Sequence, residues 1–318
     1  MNSKLLTQIR AELGLPVAQI ERLIERAPYT YKVYTIPKRS GGDRTIAQPA
    51  RETKLIQKWL IEHIFCTLPI HDAAAAYRPG ASIKKNAERH ANSKYMVKLD
   101  FKEFFPSIKY QDLVNHFCVH LSDAYEDDDI KRMALISCLH IGGRDFALSI
   151  GSPASPCLSN SIVYELDKKI KSWCKENKVA YTRYADDLTF STNRPDISSE
   201  VEKMVSLTLK EIEYPQLKLN KKKSIHLSKR HKRVVTGVII NSENNLSLGR
   251  DRKREISSLI HKYSIGLLSK GDTYRTQGLL GFARDIEPDF VARLNTKYGN
   301  KLLEEIFTLR KAEEEDDL

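Results

Sequence analysis

Two adjacent carboxylates set between two strand-like runs constrain this chain more than any other feature. Ahead of the pair, Val179, Tyr181 and Arg183 alternate with smaller residues, and behind it Leu188, Thr189 and Phe190 have the β-branched and aromatic character of a strand. The spacing predicts a hairpin with Asp186 and Asp187 at its turn. Aspartate tolerates turn geometry, and an isolated acidic pair is usually a solvated loop. Here Tyr181 and Tyr184 sit beside it, and the run Tyr184-Ala185-Asp186-Asp187 would arise by chance in about one chain in a few hundred of average composition.

Neighbouring carboxylates repel, so a fold that holds them together normally supplies a hard cation such as Mg²⁺, shared with substrate phosphates. A third acid is then needed. Asp100 is the candidate, at the end of the strand-like run Tyr95-Met96-Val97-Lys98-Leu99 and followed by Phe101-Lys102-Glu103-Phe104-Phe105-Pro106-Ser107. This strand-end acid with Phe104-Phe105-Pro106-Ser107 behind it, together with the tyrosine-led acidic pair, resembles the palm of a reverse transcriptase. The similarity is greatest to bacterial retron reverse transcriptases.

The fold class implied is α+β: a right-hand polymerase with fingers, an antiparallel-sheet palm flanked by helices, and a helical thumb. The expected division is an N-terminal helical arm over 1–30, fingers over 31–95, palm over 96–249 with fingers-associated helices interspersed, and a thumb or RNA-recognition region over 250–318. Periodicity agrees at several places. Apolar residues from Leu5 to Ile24 predict one or two helices interrupted at Gly14-Leu15-Pro16, and Leu55, Ile56, Trp59, Leu60 and Ile64 predict a helix with a buried face. Tyr31–Lys38 and Arg44–Pro49 flank the turn 39–43 and predict a β-hairpin.

Lysine and arginine on such a hairpin most often face solvent. The resemblance implies instead that Lys38 and Arg44 hold an incoming triphosphate. Phe105, five residues beyond Asp100, would lie under the sugar of the incoming nucleotide and exclude a 2′-hydroxyl, making deoxynucleoside triphosphates the substrates. The run Ser149-Ile150-Gly151-Ser152-Pro153-Ala154-Ser155-Pro156-Cys157-Leu158-Ser159-Asn160 starts a helix. It is similar to the family element that supports template–primer and nucleotide base, with Gly151 in its backbone role. Ile150 stands where the family most often has Gln. Lys223 is implied as a proton donor to the leaving pyrophosphate.

Charge bears on the partner. The 318 residues carry a formal net charge of +11, which favours a polyanion without separating nucleic acid from an anionic membrane surface. From Lys218 to Arg233 there are eight Lys or Arg and no acid, a stretch whose bare pattern is a solvated face. Beside a polymerase palm it reads as phosphate-contacting, through Lys221, Lys222, Arg230 and Arg233 among others. The triplet Val235-Thr236-Gly237 is expected to open a strand over Val238–Asn241. It matches one typical of retron enzymes, whose surrounding region recognises the cognate RNA, and Arg250 begins a basic helix start beyond it. Asn86 and His90 match a short Asn-Ala-x-x-His element; alone, His90 reads as a surface or capping histidine, and the resemblance gives it a structural or RNA-positioning role.

Other features read more plainly. The acidic run Asp123–Asp129 suits a solvated loop or helix start, Ser191–Pro195 a polar link, and Glu313–Leu318 a solvated acidic tail. Five widely spaced cysteines without a Cys-x-x-Cys pair support neither a disulfide framework nor a zinc site. No run approaches a membrane span or the apolar core of a signal peptide, so the expected location is cytoplasmic with no membrane partner.

Membership would imply two Mg²⁺ ions held chiefly by Asp100 and Asp186, with Asp187 as a ligand or a support for the ligands. It would imply a structured non-coding RNA as template and primer, and synthesis from a guanosine 2′-hydroxyl to RNA-linked DNA in antiphage defence beside an effector protein. The chain leaves no room for a ribonuclease H domain, which points to a host ribonuclease H for trimming. An intron-type or diversity-generating reverse transcriptase, or a non-catalytic RNA-binding scaffold, are the other readings of the same residues.

Overall fold

The computed structural model describes residues 3–38 and 41–309. Arg39 and Ser40 of the hairpin turn, and the acidic tail, lie outside the described residues. The chain divides into two compact units: 1–81 with 95–226, and 82–94 with 227–318. The short segment 82–94, read with the fingers from its position in the chain, is grouped with the C-terminal stretch.

In the first unit a helical hairpin, Lys4–Leu13 and Val17–Arg26, turns at Gly14, whose left-handed backbone (φ 66°) caps the first helix. The two-stranded hairpin follows as Tyr31–Pro37 and Asp43–Pro49, paired antiparallel. Its central sheet has the order Ala180–Tyr184, Asp187–Thr192, Tyr95–Asp100, Ile225–Ser228. One apolar core runs from Leu5 to Leu217 and packs the strands against helices that include Arg51–His63, Tyr110–Leu121, Asp127–Ser137, Tyr164–Glu176 and Ile197–Glu211. In the second unit a three-stranded sheet, Leu246–Ser247, Val238–Ile240 and Arg233–Val235, accompanies the helices Ile83–Ala91, Arg250–Ser264, Lys270–Ile286, Pro288–Tyr298 and Asn300–Thr308. No helix among the described residues is long and apolar enough to cross a membrane.

Several expectations are corrected. Leu55 lies on the helix Arg51–His63 but on its outer face, because Ile56, Trp59 and Leu60 already fill the inner one. Ser191 and Thr192 belong to the strand and are buried, since the antiparallel register with Tyr95 and Met96 continues through them. Within the acidic run, 127–129 do form a helix start, but Asp129 is buried and accepts bonds from the Leu5 amide and the Ser3 hydroxyl. The triplet at 235–237 closes one strand as well as opening the next: Thr236 (φ 47°) and Gly237 (φ 82°) form the two-residue turn between them.

The largest polar feature of the core sits beneath the acidic turn. Arg183 is fully buried and forks onto Asp167, with Nη2 2.7 Å from Oδ2 and Nε 3.0 Å from both oxygens. Tyr181 donates its hydroxyl to Asp167 Oδ1 at 2.7 Å, so this carboxylate is fully engaged. Arg183 Nη1 donates to Asn160 Oδ1 at 3.0 Å and to the carbonyl of Ala185 at 3.2 Å. Planar, bidentate pairing suits arginine in such a place, and the pair is stable only while both partners are present. Replacing Asp167 by Ala strands a buried guanidinium and should cost about 3–5 kcal/mol in denaturant unfolding. The double replacement Asp167→Leu with Arg183→Met should recover a large part of that loss; a double variant no more stable than Asp167→Ala would count against this account.

Candidate active site

The strand register brings the acids together. Asp100, last in Tyr95–Asp100, is the cross-strand partner of Asp187, first in Asp187–Thr192. Asp186 occupies the turn itself, after Ala185 in the left-handed region (φ 54°), and its carbonyl accepts the Phe101 amide at 3.0 Å. Arg183 holds the Ala185 carbonyl from below, so the turn is fixed from both sides. Asp187 is therefore a strand residue and not a turn residue. The register sets its carboxylate beside that of Asp100, which helps to raise its pKa.

A third segment closes on the same point. The Asn220 amide donates to the Asp100 carbonyl at 2.7 Å, and the Lys102 amide to the Lys218 carbonyl at 2.8 Å. These bonds fix the short turn Lys221–Lys223 beside the strand end, and Lys223 Nζ pairs with Asp100 Oδ2 at 2.8 Å. Asp100 is 8% exposed in its side chain and Lys223 58%.

Crowding shows in the acid strengths. Asp186 is raised from 3.8 to about 6, by burial first and then by the charges of Asp187 and Asp100. Asp187 is also raised, chiefly by burial, with Lys98 opposing and Asp100 reinforcing the shift. Lys223 is raised by its bond to Asp100.

Three carboxylates with one ammonium leave an excess of negative charge, and their oxygens are the donors a hard divalent cation takes. The donor set fits such an ion. As the side chains stand, no group of three or more His, Cys, Asp or Glu among the described residues closes around a point that could hold a metal. Lys223 is ion-paired with Asp100 at the same site.

The other assigned residues fall into two groups. Phe105 is half-buried on the one-turn helix Phe104–Ser107, edge-on to Phe104, which stacks on Phe101. Arg44 is exposed on the hairpin and acts electrostatically on Tyr77, as does Asp186. Lys38 is exposed at the hairpin's end. Gly151 (φ 115°) is required by close approach: a Cβ there would stand 2.9 Å from the Ala47 carbonyl oxygen. The Ala47 amide donates to the Ile150 carbonyl at 2.8 Å, tying the helix-starting loop to the hairpin through backbone whatever side chain stands at 150.

Among the residues assigned to RNA, Lys221, Lys222, Arg230, Gly237 and Arg250 are exposed and Thr236 half-buried. Four are corrected. Asn86, His90, Arg233 and Val235 are buried. Arg233 donates to the carbonyls of Ala91, Ser93 and Asn241, holding Ile83–Ala91 to the small sheet, and has no guanidinium face left for a phosphate. Asn86 Nδ2 lies 3.5 Å from Thr236 Oγ1, so two motifs 150 residues apart meet through side chains that stabilise each other. Asp167 and Asn160 went unassigned as functional side chains in the sequence. A signal existed in Arg183, which shares the inward strand face with Tyr181 and so requires a buried acid.

Residues 36–240 match the family described as reverse transcriptase (RNA-dependent DNA polymerase). The chain is 42% identical over 289 residues to the retron Ec83 reverse transcriptase of Escherichia coli, covering 89% of this chain and 92% of that one. It is 36% identical to the retron Ec73 reverse transcriptase of the same organism, covering 86% and 89%. Among solved structures, a foamy viral protease-reverse transcriptase in complex with double-stranded DNA aligns over 87% of this chain and 43% of that one, with TM-score 0.48 and 18% identity.

The raised acid at 186 sets a pH signature for the metal-free protein. A carboxylate whose folded pKa exceeds its unfolded one favours folding below the unfolded value, and that contribution is lost as pH rises from about 4 to about 6. In chelator at pH 8, Asp186→Asn should exceed the parent in stability by on the order of 2 kcal/mol. The gap should close below about pH 4; equal unfolding midpoints at pH 8 would remove the crowding argument.

Proposed function

The chain belongs to the bacterial retron reverse transcriptases, which are RNA-directed DNA polymerases, and from that premise we propose that it copies a structured non-coding RNA of its own into RNA-linked DNA. In this reading synthesis starts at a guanosine 2′-hydroxyl in the cytoplasm. The product serves antiphage defence with an effector protein, and a host ribonuclease H trims the template. The observation that carries the polymerase chemistry is the Asp100–Asp187 register with Asp186 in the adjoining turn.

Two Mg²⁺ ions bound there would activate the attacking hydroxyl and take up charge on the leaving pyrophosphate. Asp100 and Asp186 are the principal ligands in this proposal, and Asp187, cross-strand from Asp100, ligates beside them or supports them. Lys38 and Arg44 meet the triphosphate, and Phe105 lies under the sugar. Gly151 keeps the loop below the nucleotide close to the hairpin. Lys223 donates a proton to pyrophosphate. Exposed Lys221, Lys222, Arg230 and Arg250 supply sequence-independent, salt-sensitive contact with RNA phosphates. Thr236 and Gly237 face the RNA from their turn, and Asn86, His90, Arg233 and Val235 support that surface from within.

An extension assay with Mg²⁺ and the co-purifying RNA tests the proposal. Asp186→Asn should lose at least about a hundred-fold in rate, since even outer support of a metal is worth 10–100-fold; a variant as active as the parent would sink the enzyme assignment. Phe105→Ala should admit ribonucleotides that the parent rejects, and unchanged sugar selectivity would take Phe105 out of the nucleotide site. For RNA binding, Lys222→Ala should lower the slope of log affinity against log salt by about 0.7–0.9.

A further inference from the structure

Lys223 differs from its neighbours in where its charge lies. Lys221 and Lys222, in the same short turn, are exposed and have no ion pair among the described residues, whereas Lys223 turns in to Asp100. The approach is built by backbone: Asn220 donates its amide to the Asp100 carbonyl at 2.7 Å, and its side-chain Nδ2 stands 3.5 Å from Asp100 Oδ1. Phe101 and Leu219 form an antiparallel bridge immediately beside it. Asp186 and Asp187 have no ion pair of this kind among the described residues, and the Lys223 ammonium, bonded to Asp100, acts on both through its charge.

From this we infer that Lys223 is a resident counter-ion of the acidic site, occupying Asp100 until a divalent cation displaces it, so that the lysine sets how tightly the free enzyme binds metal. The inference rests on reading the acids as a divalent-cation site. The pair is suited to exchange because the lysine side chain is 58% exposed and flexible beyond its fixed backbone. Only the ammonium end of the pair is open to water, which screens it, so an incoming double charge that meets several carboxylates at once outcompetes one ammonium. A buried pair such as Arg183–Asp167 could not serve, since breaking it leaves an uncompensated charge. In the metal-free protein the ammonium limits repulsion among the acids; once released it is free to meet another anion.

The test is binding of Mn²⁺ alone, without nucleotide or RNA, read by its electron paramagnetic resonance signal and by the shift in thermal midpoint. Lys223→Met keeps the length of the stem and removes the charge. It should bind Mn²⁺ about two- to five-fold more tightly than the parent, the range given by a weak pair. Its midpoint should lie below the parent's in chelator and meet it at saturating Mn²⁺. Lys223→Arg should retain the parent's weaker binding. Lys222→Met separates pairing from the general field of a lysine and should move affinity less than Lys223→Met. In an Asp100→Asn background, replacing Lys223 should add nothing. If the parent and Lys223→Met bind Mn²⁺ equally, or if Lys222→Met matches Lys223→Met, the counter-ion role is wrong while the metal site stands. If no protein of the set binds Mn²⁺, both fall together.

Discussion

Mutual repulsion among three carboxylates is the constraint on which this structure turns. Side-chain attraction cannot assemble them, because their charges push apart; burial first, and the neighbouring carboxylates after it, raise the pKa values of Asp186 and Asp187 and so disfavour their charged forms. Backbone hydrogen bonds do it instead. The Asp100–Asp187 register, the Phe101 amide on the Asp186 carbonyl and the Asn220 amide on the Asp100 carbonyl fix three chain segments at one point. Lys223 then pairs its ammonium with Asp100, and the charge of Lys98 bears on Asp187.

Rigid support comes from below. Arg183, two residues before the turn, is locked onto Asp167 and reaches the Ala185 carbonyl, so the turn rests on a buried, fully paired network. Asn160 extends that network: it accepts from Arg183 and donates to the Ala76 carbonyl at 2.8 Å. Asn160 lies on the helix Ala154–Ile162, and the loop before this helix touches the hairpin at Ala47 through Ile150 and Gly151. The acidic turn, the loop before Ala154–Ile162 and the hairpin are thus joined by short polar links, which hold them in place relative to one another.

Positive charge is used in two unlike ways. Arg183 and Arg233 are buried and spend their donors on carbonyls and a carboxylate, where they define local structure. Lys221, Lys222, Arg230 and Arg250 remain exposed, and only such residues can exchange counterions with a polyanion. A net charge counted along the chain treats both kinds alike.

The sequence by itself determined the acidic hairpin, the strand ending at Asp100, the helical hairpin broken at Gly14 and the family, because each depends on local pattern: alternation, turn residues and ordered motifs. It also determined the chemistry that three acids and a basic run would support. Only the tertiary structure decided which charged residues are buried, that Asp187 starts a strand opposite Asp100, that Asn86 meets Thr236, and that Lys223 pairs with Asp100. The physical reason is that burial and pairing belong to contacts between different segments of the chain, up to 150 residues apart for Asn86 and Thr236, and neither periodicity nor composition carries that information. Arg183 and Arg233 read alike as basic residues; one braces the acidic turn and the other a separate small sheet, according to what the fold packs against each.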